Sequence, residues 1–203
     1  MRLSFLPLSC LLSTLACTSP FGVVPPVESS TTSPSTPPEA PTRKAMEAMR
    51  AHKPFLGRWT GTLEYRDFTS EDRVWLPTRL EVIPSRDGTS MRFVYLYEDG
   101  PMKTVREEST VSIDSTERTM TVVSGRDGSR SVYRFSDDAN LLALRQKGEG
   151  VFSLSGQGVE DGQEVAVRLK LTVNRERYQL LRETQLPGEA FKFRHEYTFT
   201  RAG

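Results

Sequence analysis

The 203-residue sequence predicts an all-β domain: an antiparallel up-and-down β-barrel of about ten strands with a short helix before it. From Phe55 onward, turn signals recur about every ten residues, and the runs between them alternate apolar with polar residues. We expect no helix between these strands. Antiparallel strands avoid exposed edges best by closing on themselves, which favours a barrel. The turn signals are Ser85–Gly88, Glu98–Pro101, Asp114–Glu117, Gly125–Gly128, Asp137–Asn140, Glu160–Gly162, Asn174–Glu176 and Leu186–Gly188.

Residues 1–16 have the composition of an export signal. Arg2 precedes an apolar run that is too short for a membrane-spanning helix, which needs ~20 residues. The segment Leu15-Ala16-Cys17 resembles the bacterial lipobox, whose cysteine is acylated after cleavage, although Thr14 stands where that motif usually has Leu. The resemblance implies a lipid anchor on Cys17. The alternative is an ordinary cleavable signal with an incidental cysteine near its end.

Residues 17–42 are predicted to be a lipidated cysteine followed by a disordered tether. Of the 25 residues 18–42, 17 are Ser, Thr or Pro, a composition that buries too little apolar surface to offset the entropy of ordering. Thr18, and not Asp, follows the cysteine, and the lipoprotein sorting rule then implies an outer membrane. We therefore predict a lipid-anchored protein of the cell envelope, facing the periplasm or the surface.

The composition restricts the chemistry of the remaining domain, residues 43–203. Lys and Arg number 27 against 26 Asp and Glu, so the total charge predicts neither a nucleic-acid partner nor a basic membrane-binding patch. Cys10 and Cys17 are the two cysteines, which excludes a disulfide, a cysteine zinc site and a thiol nucleophile from the domain. With only His52 and His195 available, no multi-histidine metal site is expected.

Periodicity predicts the first and last elements of the domain. Thr42 can cap a helix from Arg43 to about His52, with Met46 and Met49 on one face, and Pro54 ends it. The apolar positions of three strands then alternate with polar ones, so each set is expected to share the inner face. The sets are Trp59, Gly61, Leu63 and Tyr65; Val165, Val167, Leu169, Leu171 and Val173; and Phe191, Phe193, His195, Tyr197, Phe199 and Arg201.

A short helix followed by Gly57-Arg58-Trp59 at the start of the first strand resembles the G-x-W signature of the lipocalins and related calycin barrels. Those proteins also place an Arg or Lys at the end of the last strand, and Arg201 is in that position. The resemblance implies that Arg201 packs over Trp59 and closes the barrel base, next to Gly57. It covers most of residues 43–203 in architecture and indicates a lipocalin-like barrel without a named ligand class.

Polar and aromatic residues expected on the inner face are the candidate ligand-binding residues. His195 is the first of them, since it lies among aromatic residues by parity. It could bind haem, as in the similar nitrobindin barrels, act as a general base, contact another ligand, or serve as a structural histidine. Glu107 is expected to need a cationic partner, Arg134 or Arg182. The full candidate set is His195, Tyr197, Glu107, Tyr95 and Phe193.

Three functions remain open from the sequence. The first is non-catalytic binding of a small hydrophobic or amphipathic molecule inside the barrel. The second is a small barrel enzyme, or a haem-type site, that uses His195 with Glu107 as an acid–base partner. The third is a structural lipoprotein with a filled barrel. A cavity of ~300 Å³ or more would favour the first function, and a packed interior the third.

Overall fold

The computed structural model describes residues 42–67, 70–160 and 162–203, and it contains a closed barrel of ten antiparallel strands. Each strand pairs with its neighbours in sequence, and β1 pairs with β10 to close the barrel. The predicted lipocalin-like up-and-down barrel is therefore confirmed. The strands are β1 Gly57–Arg66, β2 Arg73–Pro84, β3 Met91–Glu98, β4 Thr104–Asp114, β5 Thr119–Ser124, β6 Arg130–Phe135, β7 Gly150–Glu160, β8 Gln163–Val173, β9 Arg177–Gln185 and β10 Lys192–Arg201. The predicted export signal, Cys17 and all of the tether before Thr42 lie outside the described residues.

The first helix, α1, runs from Arg43 to His52 as predicted. The Thr42 side chain accepts a hydrogen bond from the amide of Ala45 at 3.2 Å, which satisfies one of the free amides at the helix start. The helix buries Ala45, Ala51 and His52. Met46 and Met49, which were expected on one face, remain 45% and 48% exposed, so they do not form the buried side of the helix.

A second helix, α2 (Asp138–Lys147), interrupts the strands between β6 and β7, where only a turn was expected. The aspartate taken as the start of that turn, Asp137, is the helix cap: its carboxylate accepts a hydrogen bond from Ala139 at 2.8 Å. Gly148 ends the helix in the left-handed conformation at φ 73°. Leu141 and Leu144 are buried three residues apart, so the segment does have a helical apolar face. Among the described residues, neither helix is long and apolar enough to cross a membrane.

Alternation places the inner face as expected along most strands. All five apolar residues of the β8 set are buried, and so are Trp59 and Phe199 on the two strands that close the barrel. The exception is β10, where the register against β9 shifts between Phe193 and His195. Arg194 is the extra residue of this β-bulge. One extra residue reverses the alternation, so residues on the two sides of the bulge that would otherwise share a face lie on opposite faces.

Phe193 is consequently on the outer face, which corrects its prediction as an inward residue. It pairs with Glu183, whose carboxylate bonds the outward Arg168, and its own ring lies under the Arg73 guanidinium at 3.4 Å. Phe191, also expected inward, precedes β10, and its ring lies 4.3 Å from the guanidinium carbon of Arg168.

One end of the barrel is closed by the residues of the G-x-W signature. The Arg201 guanidinium carbon lies 4.0 Å from the centre of the Trp59 ring. The same guanidinium donates hydrogen bonds to the carbonyl oxygens of Leu56 at 2.7 Å and Pro54 at 2.9 Å. The Trp59 indole donates to the Phe55 carbonyl at 2.7 Å. The chain before β1 is thereby fixed across the barrel base, and the opposite end remains the mouth.

Candidate functional site

The barrel encloses an apolar cavity of about 90 Å³. Its wall is almost entirely hydrocarbon and aromatic, with the Ser109 side chain as the one aliphatic hydroxyl among the lining residues. The lining residues are Phe55, Met91, Phe93, Tyr95, Ser109, Val111, Ile113, Met120, Val122, Leu171, Tyr178 and Leu180. The volume is about that of three water molecules, and below the roughly 150 Å³ of a cavity known to take a benzene ring. A ligand that binds without rearrangement of the side chains must therefore be very small.

An aromatic column runs beside this cavity from the base toward the mouth. The rings of Tyr178 and Phe199 are stacked at 5.8 Å, those of Phe199 and Tyr197 at 5.7 Å, and Tyr197 then contacts Tyr95 at 5.1 Å. Burial raises the pKa of the phenols of Tyr95, Tyr178 and Tyr197 above the ordinary value. These hydroxyls are consequently neutral at physiological pH and serve as hydrogen-bonding groups.

Toward the mouth, a hydrogen-bonded chain connects three of the inner polar groups. The Tyr97 hydroxyl donates to the Glu107 carboxylate at 3.2 Å and is 2.8 Å from the Tyr197 hydroxyl. Burial is the main cause that raises the pKa of the Tyr97 phenol, followed by its electrostatic interaction with Tyr197 and by the negative charge of Glu107. Glu107 is exposed overall, so its carboxylate lies at the rim. Neither predicted arginine partner pairs with it, because Arg134 donates to the Glu117 carbonyl and Arg182 pairs with Glu160.

His195 lies on the inner face near the mouth, paired with Tyr65 of β1 and with Arg182 of β9. Its ring contacts that of Tyr197 edge-on at 5.3 Å. Burial, with the positive charges of Arg182 and Arg194, lowers the pKa of His195 to about 3. The imidazole is therefore neutral at pH 7, and within the described chain no hydrogen bond joins it to another residue.

A second inner cluster surrounds the Glu160 carboxylate at the end of β7. It accepts a hydrogen bond from Thr184 at 3.0 Å and lies 3.4 Å from the Arg194 Nε and 3.6 Å from the Arg182 Nη2. The Nε of Arg182 is buried and has no hydrogen-bond partner within the described residues. Leaving such a donor unsatisfied costs about 1–3 kcal/mol, so it is a natural contact for a ligand oxygen.

The polar side chains at the mouth, among them Glu107 and Arg182, lie one layer of side chains above the cavity. Residues two apart on a strand share a face, separated by about 7 Å. Arg182 follows the cavity residue Leu180 in this way on β9, and Glu107 has the same relation to Ser109 on β4. An apolar chamber thus lies directly beneath charged and hydroxyl groups, which suits a molecule with an apolar part and a polar head.

Of the predicted ligand residues, the structure brings together Tyr95, Tyr197, Glu107 and His195 on the inner wall, and it excludes Phe193. Sequence reasoning missed Glu160 and Thr184, and it missed Arg194 because the β-bulge that brings this residue to the cluster has no local signature. The charge of Glu160 at a hairpin looked like an ordinary turn residue. Its even spacing from Phe152, which is buried on the inner face of the same strand, was the available signal.

The site gives little support to metal or acid–base chemistry. No group of three or more His, Cys, Asp or Glu residues is placed to hold a metal in the described part of the chain. A cavity of 90 Å³ does not fit a haem. His195 and Glu107 are not hydrogen-bonded to each other, and a histidine whose pKa is about 3 is far from the value that suits a general base at neutral pH.

Comparisons with known proteins support the fold and say little about identity. No protein-family model matches the chain, and no match was found among curated proteins. Among solved structures, the chain is similar to the S-type phycobiliprotein lyase CPES from Guillardia theta, with a TM-score of 0.52 and 8% sequence identity. The match covers 82% of this chain and 99% of the lyase. At that identity the likeness shows the fold alone. The fold and site together define a lipocalin-like barrel with a small enclosed cavity.

Proposed function

We propose that the barrel binds a small amphipathic molecule, with its apolar part in the cavity and an oxygen-bearing head group at Arg182. The observation that carries this proposal is the buried, unsatisfied Nε of Arg182 directly above an apolar cavity. Arg182 contacts Glu160 through Nη2, so Nε is the donor of this guanidinium that a ligand oxygen would satisfy. His195, neutral and without a hydrogen-bond partner among the described residues, offers a second polar contact.

The cavity volume limits the ligand. A space of 90 Å³ holds roughly three or four carbon atoms, given about 30 Å³ for each water-sized group. The ligand is therefore a short-chain carboxylic acid, alcohol or ketone. A longer molecule would require the ring of Tyr95 or Tyr178 to move from its stacked position against Tyr97 or Phe199.

The cavity volume itself favours a second candidate function. Small-molecule sites usually measure about 300–1,000 Å³, and 90 Å³ is close to a filled interior. Under this alternative the protein is a rigid scaffold whose outer surface meets its partners, and the inner polar groups only hold the mouth together.

A binding experiment with a pair of matched variants separates these functions. Straight-chain carboxylates from propanoate to octanoate would be titrated into the protein and followed by amide chemical shifts. If the barrel binds these ligands, amide shifts in β9 and β10 should saturate, and the carboxylates with the shortest carbon chains should bind most tightly. Arg182→Met should weaken binding about tenfold or more, since a hydrogen bond to a charged group contributes about 1.5–3 kcal/mol.

The control is Arg168→Met, which removes an arginine from the outer face of the adjacent strand. That residue pairs with Glu183 at 2.8 Å, so both variants break an arginine ion pair of the barrel wall. Binding should be unchanged in this control. Absence of saturable shifts for the whole series would refute ligand binding and leave the scaffold function.

We further propose that the protein is a lipoprotein of the cell envelope, anchored through an acylated Cys17 and directed to the outer membrane. The lipobox-like Leu15-Ala16-Cys17 segment and the following Ser/Thr/Pro-rich segment support this proposal. Metabolic labelling with a fatty acid should mark the protein, and Cys17→Ala should abolish both labelling and membrane partition. Cys10→Ala is the control. Unchanged labelling of Cys17→Ala would show that the cysteine is incidental.

A further inference from the structure

Outside the barrel, a groove of about 620 Å³ lies where the ends of α1 and α2 meet the β8–β9 turn and the end of β10. Its wall is strongly basic and includes no acidic residue. Six cationic side chains line it, from four separate segments of the chain: Arg50, Lys53, Arg145, Lys147, Arg175 and Arg201. Pro54 and Leu144 add an apolar part to the wall. The near-neutral total charge of the chain gives no sign of this concentration.

Two of these six cations have structural partners. Arg201 holds the barrel base through Trp59 and the carbonyls of Pro54 and Leu56. Arg145 lies 3.6 Å from the Glu47 carboxylate of α1, on the contact between the two helices. The other four, Arg50, Lys53, Lys147 and Arg175, are exposed, and their side chains form no ion pair or hydrogen bond within the described residues.

Helix dipoles account for part of this charge. Both helices end at the groove, and a helix carboxyl end carries about half a negative charge, which basic side chains in the last turn complement. Two helix ends therefore offset about one of the four remaining positive charges. Roughly three positive charges therefore remain on the wall of the groove itself, and this concave surface attracts an anion of several charges.

We propose that this groove binds an anion that carries two or more phosphate groups. Arginine and lysine are the side chains that bind phosphate, arginine through its planar fork and lysine as a compact charge. A groove with cations on several sides can bind separate phosphate groups of one molecule. The source is either a soluble polyphosphorylated compound or the head group of a phosphorylated lipid.

The test uses the full chain and the double variant Arg50→Gln/Lys147→Gln. Both side chains are exposed and unpaired, so their neutralisation should leave the fold intact, which circular dichroism would verify. The matched control, Arg86→Gln/Arg130→Gln, removes the same charge from exposed positions on two hairpins away from the groove. Titration calorimetry with tripolyphosphate should give saturable binding that weakens about tenfold in the groove variant and less than twofold in the control. Binding should also weaken as salt rises from 50 to 150 mM.

Sedimentation with vesicles distinguishes the two sources. Vesicles of phosphatidylcholine with and without phosphatidic acid would be compared, so that any lipid anchor cancels in the difference. Tripolyphosphate binding without selective sedimentation identifies a soluble ligand, and selective sedimentation that tripolyphosphate competes away identifies a lipid head group. The proposal would be overturned if both assays fail, or if the groove variant and the control lose the same affinity. It would also be overturned if a single-stranded oligonucleotide binds tightly and tripolyphosphate cannot displace it.

Discussion

Gly57 shows at the residue scale why the G-x-W signature needs its glycine. Its backbone is at φ +110°, which side chains rarely adopt, and a Cβ there would lie 3.0 Å from the Nη1 of Arg201. That guanidinium cannot move away without losing its bonds to the Leu56 and Pro54 carbonyls. Backbone strain and close approach therefore both require glycine at this position.

Gly100 separates these two causes, because it has almost the same φ, +104°, with nothing within 4 Å of an added Cβ. Gly100→Ala should lower the free energy of unfolding by about 1–2 kcal/mol through backbone strain alone. Gly57→Ala should lower it by a further 1–3 kcal/mol or so, because the base must also shift. Urea denaturation would measure both. Equal losses would show that the contact with Arg201 does not constrain Gly57.

The sequence could predict which residues form the base but not which polar groups meet at the mouth. Gly57, Trp59 and Arg201 carry a recognisable pattern at the two ends of the domain. Arg182 and Glu160 lie on strands β9 and β7, which are not adjacent, and their side chains meet only through the curvature of the closed barrel. No spacing along the chain encodes that contact.

At the scale of elements, alternation predicted β1 and β8 correctly and failed within β10. The bulge residue is an arginine, and neither Gly nor Pro marks the position. The second helix was missed for a related reason. Its capping aspartate and the glycine at its end also occur at hairpin turns, so the start of this ten-residue helix was taken as a turn between two strands.

Cysteine accessibility would verify the facing of β10. In a chain with Cys10 and Cys17 replaced by Ala, Phe193→Cys should react with a water-soluble maleimide about as fast as Val151→Cys, an outer position that is 62% exposed. Tyr197→Cys should react at least about tenfold more slowly, because its ring lies inside the aromatic column. Slow labelling of Phe193→Cys and fast labelling of Tyr197→Cys would contradict the bulge.

At the scale of the whole molecule, folding brings together residues that lie far apart in the sequence. The basic groove takes its charges from segments up to about 150 residues apart, so neither the total charge nor any local run of Lys or Arg predicts it. The cavity volume is equally invisible in the sequence, because it depends on how side chains from opposite walls interlock. The alternation of apolar and polar residues predicted the barrel, but only the packing of the inner side chains determines that little space remains inside it.

The buried histidines should make the free energy of unfolding decrease as the pH falls into the mildly acidic range. The His52 ring is 2% exposed, and its Nε2 accepts a hydrogen bond from the Ile113 amide at 3.2 Å, which requires that nitrogen to be unprotonated. Burial lowers the pKa of His52 to about 4, whereas an unfolded histidine has a pKa of about 6.5. Between these values the unfolded chain binds more protons, so the free energy of unfolding decreases as pH falls.

For His52 alone the loss from pH 7 to pH 4.5 should be about 2–3 kcal/mol. The lowered pKa of His195 acts in the same direction, although its partial exposure reduces the effect. Asp87 and Asp127, whose pKa is about 2, lose their contribution only as pH falls below about 4. Urea denaturation should therefore give a lower free energy of unfolding at pH 4.5 than at pH 7. His52→Gln should remove most of the roughly 2–3 kcal/mol that His52 contributes to this difference. The variant should still fold, since glutamine can accept the hydrogen bond from the Ile113 amide. If His52→Gln keeps the full dependence on pH, another group titrates in this range and His52 is not the cause.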